Sequence, residues 1–300
     1  MSDIIIGTRG SRLALWQANY IRDQIGEADL KIITSRGDRL VDLPLQSNLE
    51  KGLFTKELEV ALAAGEVDLA VHSLKDLPVD APEGLAMGPV PPRAPVADLL
   101  LMRRGADPSA PGLSIGSSSA RRVAMIAACF TDATVVPIRG NIPTRVNKLR
   151  EGQADALVLA EAGLHRLQLD LSDLLVFRLD PRCWVPAPGQ GALGLQVRDG
   201  DARVEGRLAP MSCEDSATAV NMERAVLSRF GGGCHAALGA YGEKTENGWT
   251  LHIGAANGNR FDVASLPIDD PNPAHVDDWI TRFKACAEPL TELAASPWTP

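Results

Sequence analysis

The stretch Thr55–Pro78, TKELEVALAAGEVDLAVHSLKDLP, holds the pattern that decides the fold. Its first half has apolar residues at helical spacing, opens on a threonine and closes on Gly65, which are helix start and stop signals. Val67–His72 then reads as a buried strand, with His72 packed under its end. Ser73, Lys75 and Asp76 follow at once, where open α/β sheets bind their ligands. Upstream, Asp3–Gly7 and Leu30–Thr34 read as strands. Ser11–Gly26 between them has helical spacing and places Trp16 in the core. This βαβ rhythm predicts a mainly parallel sheet with helices on both faces.

Downstream, the proline-rich Met87–Asp98 (MGPVPPRAPVAD) reads as a linker or hinge. A second α/β unit follows, with strands at Leu113–Gly116, Thr134–Ile138 and Ala154–Ala160. Its helices are Ala120–Phe130, Pro143–Glu151 and Glu161–Leu167. Gly191–Val197 reads as a strand returning to the first domain. Beyond about 212 the pattern changes to a long helix, Glu214–Phe230, and strands at Ala237–Gly242, Trp249–Ala255 and Phe261–Leu266. A final helix spans about His275–Ala294. The fold expected is α/β, with two α/β domains and a smaller C-terminal α+β domain. The boundaries are 1–92 with 189–208, then 93–188, then 209–300.

Composition sets limits on function. The chain has 300 residues, is 45% hydrophobic and carries a net charge of −8. An acidic balance argues against nucleic acid as a partner. No apolar run approaches a membrane span, and no signal peptide is expected. Five scattered cysteines, Cys129, Cys183, Cys213, Cys234 and Cys286, suit neither a disulfide framework nor zinc, and point to a reducing cytosol. Between 101 and 150, eight basic residues face only Asp107 and Asp132. The plain reading is a solvated basic face. The sharper one is a pocket for a polyanionic small molecule.

Four loops, each at the end of an expected strand, carry the candidate chemistry. Arg9 and Ser11 lie in a glycine-bracketed turn at a helix start, where free N–H groups attract anions. Ser73, Lys75 and Asp76 form the second loop. In the third, Ser117, Ser118 and Ser119 open a helix whose first turn holds Arg121 and Arg122, charges that oppose the helix dipole and so call for an anionic partner. Arg139, Asn141 and Arg145 form the fourth. Repeated arginines suit a ligand with many carboxylates, which guanidinium groups bind bidentately. Asp76 among these cations suits a carboxylate that stabilises a cationic intermediate. Cys234, after three glycines, suits either a small buried thiol or a covalent attachment point.

Eight segments taken in order resemble the porphobilinogen deaminase family. They are GTRGSRLALWQ from Gly7, KGLFTKELE from Lys51, DLAVHSLKDLP from Asp68, GSSSARR from Gly116, RGNIPTRVNKL from Arg139, DALVLAEAGLHRL from Asp155, PAPGQGALGL from Pro186 and ERAVLSRFGGGCHAALGAY from Glu223. The resemblance implies two domains like type II periplasmic binding proteins, with the site in the cleft between them, and a third that carries the cofactor cysteine, Cys234. The cofactor would be dipyrromethane, held by a thioether. Arg9, Ser11, Arg121, Arg122, Arg139 and Arg145 match positions that bind carboxylates of cofactor or substrate. Ser73, Lys75, Ser117, Ser118, Ser119, Asn141, Arg166 and Gln190 match further pocket positions, and Asp76 the catalytic carboxylate. The implied activity deaminates porphobilinogen and joins four units into a linear tetrapyrrole, in a cytoplasmic monomer with no nucleic-acid or membrane partner.

The chain departs from the family pattern in places. Arg12 stands where proline is usual, and Ser117 where threonine is. Ser47–Glu50 is less glycine-rich than the usual stretch in the lid expected over 43–52. Arg93–Asp98 departs from the acidic hinge pattern, and His235–Leu238 lacks the proline after the cysteine. The competing reading is a non-catalytic two-domain binding protein for an anionic metabolite, which would need neither Cys234 nor Asp76.

Overall fold

The structure is a computed structural model that describes residues 3–35, 55–106, 111–130, 132–231, 237–291 and 293–298. Cys234, His235 and the segment 43–52 therefore lie outside the described residues. The chain divides into two compact units, Met1–Ala94 with Gly191–Ala217, and Pro95–Gln190 with Thr218–Pro300.

The first unit begins with β1 (Ile4–Thr8), α1 (Arg12–Ile25), β2 (Ala28–Ile32), α2 (Lys56–Ala63), β3 (Leu69–Ser73) and β4 (Leu85–Met87). Ser11 caps α1 by accepting from Ala14 N at 3.2 Å, and Gly26 ends it at φ 71°, a conformation glycine adopts without strain. After the second α/β unit the chain returns as β10 (Leu193–Arg198) and α6 (Ala202–Leu208), and the sheet order is β2-β1-β3-β10-β4. β1 pairs parallel with β2 and β3, while β10 runs antiparallel to both β3 and β4. The sheet is thus mixed rather than mainly parallel, because the strand that returns from the second unit enters it in the opposite sense. Helix α1 covers one face, where Ala18 and Ile21 meet Ile4, Ile6 and Leu195. Helix α2 covers the other with Leu58 and Leu62 against Val67.

The second unit holds β5 (Asp98–Arg103), β6 (Ser114–Gly116), α3 (Ala120–Cys129), β7 (Thr134–Val136), α4 (Ile142–Arg150), β8 (Ala156–Ala160), α5 (Glu161–Leu167) and β9 (Leu174–Leu179). Its six-stranded sheet has the order β15-β9-β5-β8-β6-β7, where β15 is Ala295–Pro297. β6, β7 and β8 are mutually parallel, so the loops that follow them share one sheet edge. β5 is antiparallel to β8, and Asp98 at its start pairs with Ala160 at the end of β8. Asp98 therefore reaches that same edge.

Helix α7 (Glu214–Arg229) leads to a four-stranded antiparallel sheet, β11 (Leu238–Thr245), β12 (Gly248–Asn257), β13 (Arg260–Ile268) and β14 (Glu288–Pro289), with α8 (Val276–Cys286) packed on it. Met222 and Val226 of α7, and Trp279 and Phe283 of α8, join Leu251 and Ile253 in one core. Helix α8 stops at Cys286, short of the expected Ala294. Ala287 is already extended (φ −68°, ψ 135°), and Pro289 disfavours a helical residue before it and lacks the N–H that the next turn needs. The freed chain supplies β14 and β15. Among the described residues no helix is long and apolar enough to cross a membrane.

Candidate functional site

In the first unit the ends of the parallel strands β1 and β3 lie side by side. The turn after β1 presents Arg9 and Ser11. The end of β3 presents His72 and Ser73, followed by a 3₁₀ turn, Leu74–Asp76. Gln17 on α1 ties the two together, donating from Nε2 to Ser73 Oγ at 2.9 Å. A cavity of about 80 Å³ opens here, lined by Arg9, Ser11, Thr55, His72, Ser73 and Asp76 among others. It thus joins a cation, a carboxylate and several hydroxyls. One of its lining groups, Thr55 Oγ1, is buried without a hydrogen-bond partner. Buried polar atoms are seldom left so, and a pocket that offers one suits a ligand with polar groups of its own. Lys75 is half-buried in the same 3₁₀ turn, outside the lining.

Sequence reasoning placed His72 under the strand end, and it is buried there, 5% exposed. Burial, helped by the Arg9 charge, pushes its imidazole down to about 4. A base whose folded pKa is lowered binds more protons when unfolded, so stability rises with pH. The contribution is full above about 6.5 and is lost as pH falls toward about 4. In urea unfolding, His72→Gln should flatten the stability slope in that window, by up to ~3 kcal/mol across it. Equal slopes in parent and variant would contradict this. Trp16, expected in the core, is 37% exposed and stacks on Tyr20 at 5.5 Å. It lies on the half of α1 turned from the β-sheet, two residues and so about 200° of turn from both Ala14 and Ala18, which are buried.

In the second unit the loop after β6 is closed by its own serines. Ser118 Oγ donates to Ile138 O at 3.0 Å, and Ser117 Oγ accepts from Ser119 N at 3.3 Å. A Cβ at Gly116 would come within 2.5 Å of Ile138 Cδ1, so a larger residue there would displace that side chain. After β7, Asn141 caps α4, accepting from Thr144 N at 3.0 Å. Arg145 Nε donates to Gly140 O at 2.7 Å, and Lys148 to Arg139 O at 3.2 Å. Arg139 and Arg145 are half-buried and Asn141 exposed, while Arg166, in the last turn of α5, is buried. Arg121 and Arg122 are buried too, 3% and 7% exposed. Sequence reasoning gave their charges to an anionic ligand, but the chain supplies an anion of its own. Asp98 Oδ2 accepts from Arg121 Nη2 at 2.8 Å, and its two oxygens accept from Arg122 Nε and Nη2 at 3.0 and 2.8 Å. Burial alone would raise the Asp98 pKa, but the charges of Arg122 and Arg121 hold it far below the usual carboxylate range.

Gln190 is fully buried and donates to Asp98 Oδ1 at 2.7 Å and to Val96 O at 2.7 Å. Asp98 and Trp184, whose indole donates to Asp98 at 3.0 Å, were missed in the sequence. So was Glu223, a buried carboxylate that accepts from Gly189 N at 2.7 Å and Gly242 N at 3.0 Å. An acidic residue inside an apolar helical stretch was the available signal. Among the described residues no group of His, Cys, Asp or Glu could hold a metal ion.

An α/β protein that lines the ligand edge of its sheets with arginines and hydroxyls, and sets a carboxylate in a pocket on one of them, belongs with those that handle small anionic molecules. Comparison with known proteins narrows this class. Residues 4–206 match the model for "Porphobilinogen deaminase, dipyromethane cofactor binding domain". A porphobilinogen deaminase of Thiobacillus denitrificans is 41% identical over 92% of this chain and 93% of its own. One from a Roseiflexus species is 44% identical over 79% and 80%. Among solved structures, the periplasmic VFT2 domain of Bordetella pertussis BvgS aligns over 72% of this chain and 90% of its own, with TM-score 0.41 and 15% identity. The chain belongs to the porphobilinogen deaminase family, and it carries that family's dipyrromethane cofactor-binding domain.

Proposed function

We propose that this chain catalyses the hydroxymethylbilane synthase reaction, building a linear tetrapyrrole from four porphobilinogen molecules, with Asp76 as the catalytic carboxylate and Cys234 as the cofactor's attachment point. The single observation that carries the catalytic part is the pocket that joins Asp76 with Arg9, Ser11 and Ser73. Arg9 supplies the charge that a substrate acetate or propionate needs, and Ser11 and Ser73 supply hydroxyls. Asp76 lies exposed at that pocket rather than buried in the core. Porphobilinogen loses ammonia from its aminomethyl group, and positive charge spreads over the pyrrole. A fixed carboxylate stabilises that charge more than it stabilises the substrate, which lowers the barrier. When bound, dipyrromethane supplies the nucleophilic ring carbon on which the product is built.

In the second unit, Ser117, Ser118, Ser119, Arg121, Arg122, Arg139, Asn141, Arg145, Arg166 and Gln190 are the groups we assign to binding cofactor and growing chain. Their support is a shared sheet edge, set by the parallel pairing of β6, β7 and β8. Lys75, next to Asp76, is assigned to the substrate as well. The reading includes three domains, 1–92 with 189–208, 93–188 and 209–300, and a monomer working in the cytoplasm. The separate antiparallel sheet β11–β14 supports the third of these domains.

The test is intact mass spectrometry of the chain under limiting porphobilinogen. Its mass should rise in discrete steps of one substrate less ammonia, because product grows while attached. Free two- and three-ring products, with no laddered protein, would contradict the proposal.

A further inference from the structure

We propose that Asp98 is a positioning residue for anion capture: it sets the guanidinium groups of Arg121 and Arg122 so that they take up a ligand carboxylate. The inference rests on the proposed function, since that carboxylate belongs to the cofactor or its precursor.

Asp98 has no exposure and receives five side-chain donors. Oδ2 accepts from Arg121 Nη2 at 2.8 Å, Arg122 Nε at 3.0 Å and Trp184 Nε1 at 3.0 Å. Oδ1 accepts from Arg122 Nη2 at 2.8 Å and Gln190 Nε2 at 2.7 Å. Carbonyls fix the outer edges of both guanidinium groups. Val185 O accepts from Arg121 Nη1 at 2.7 Å, and Val158 O from Arg122 Nη1 at 3.1 Å. Neither group is free to turn, so both planes are set before any ligand arrives. Preorganised donors of this kind bind without a reorganisation cost.

Two observations point beyond a purely structural ion pair. The cluster holds two guanidinium groups and one carboxylate, so it keeps an excess positive charge away from water, which is costly unless an anion neutralises it. Arg121 Nε is also buried without a hydrogen-bond partner, so one donor awaits an acceptor. A second carboxylate satisfies both needs. Asp98 thus supplies half of the counter-charge and, with the Val185 and Val158 carbonyls, the alignment, and the ligand supplies the other half of the counter-charge.

The experiment follows cofactor uptake rather than turnover. Apo forms of the parent, Asp98→Asn and Asp98→Ala are given porphobilinogen, adduct formation is timed by intact mass, and the thermal unfolding of each apo chain is recorded. Folded Asp98→Asn should load about ten- to a hundredfold more slowly than the parent, the factor expected for lost charge-assisted hydrogen bonds. Asp98→Ala should load slowly in plain buffer and faster in formate, which fits the place of the lost carboxylate, whereas formate should not speed the parent. A merely structural role would lower the unfolding temperature and leave loading of the folded chain unchanged. Folded Asp98→Asn that loads at the parent's rate, or Asp98→Ala that formate does not help, would overturn the proposal. If neither variant folds, Trp184→Phe removes the indole donor to Oδ2 while keeping an aromatic ring at this core position, and the folded variant should load a few-fold more slowly; parental loading there would also overturn it. A parent that gains no adduct at all would count against the proposed function instead.

Discussion

Asp76→Asn is expected to lower turnover by at least about 10²–10³-fold, the scale of one preorganised electrostatic group, while the fold stays intact. Asp76 ends a 3₁₀ turn after β3 and lies exposed at the pocket, so its side chain fills no core space. The amide keeps the shape and loses the charge. Loss of ammonia makes the pyrrole cationic, and only a charged partner favours that state over the neutral ground state. Asp76→Glu should keep part of the activity, because the charge survives while its position shifts by a methylene. The measurement is steady-state turnover of folded variants whose cofactor loading has been checked by mass. Turnover of Asp76→Asn within a few-fold of the parent would remove Asp76 from the chemistry.

The second large effect falls on Cys234. Cys234→Ser should abolish the adduct and reduce activity to background, because a hydroxyl at neutral pH lacks the nucleophilicity of a thiol and its thiolate. Cys286 is exposed, so Cys286→Ser makes a matched control that should keep adduct and turnover. A Cys234→Ser chain that still carries the adduct would place the attachment elsewhere.

Apart from α6, the helices and parallel strands are legible in the sequence because their signals are local. Ser11 and Gly26 mark the ends of α1, Asn141 and Pro143 open α4, and the run ALVLA is β8. β5 and β9 were not recognised. β5 follows directly on a proline-rich stretch that reads as linker, and both strands are antiparallel insertions whose partners are remote in sequence. The over-long final helix has a local cause in Pro289, whose effect was outweighed by the apolar spacing beyond it. The pocket loops were legible as strand ends rich in Arg, Ser and Asp. The partner of Arg121 and Arg122 was not, because Asp98 is separated from them by 23 and 24 residues and no periodicity links it to helix α3. Only tertiary structure shows that the two positive charges at that helix start have an internal anion. Trp16 shows the reverse limit, since its apolar character suggests burial while its place on the helix is opposite Ala18 and Ile21.

The account stands most directly on the intact mass of the purified, active chain. It predicts one species heavier than the polypeptide by two porphobilinogen units less two ammonia molecules, with the excess confined to a peptide containing Cys234. An active chain of unmodified polypeptide mass would contradict it.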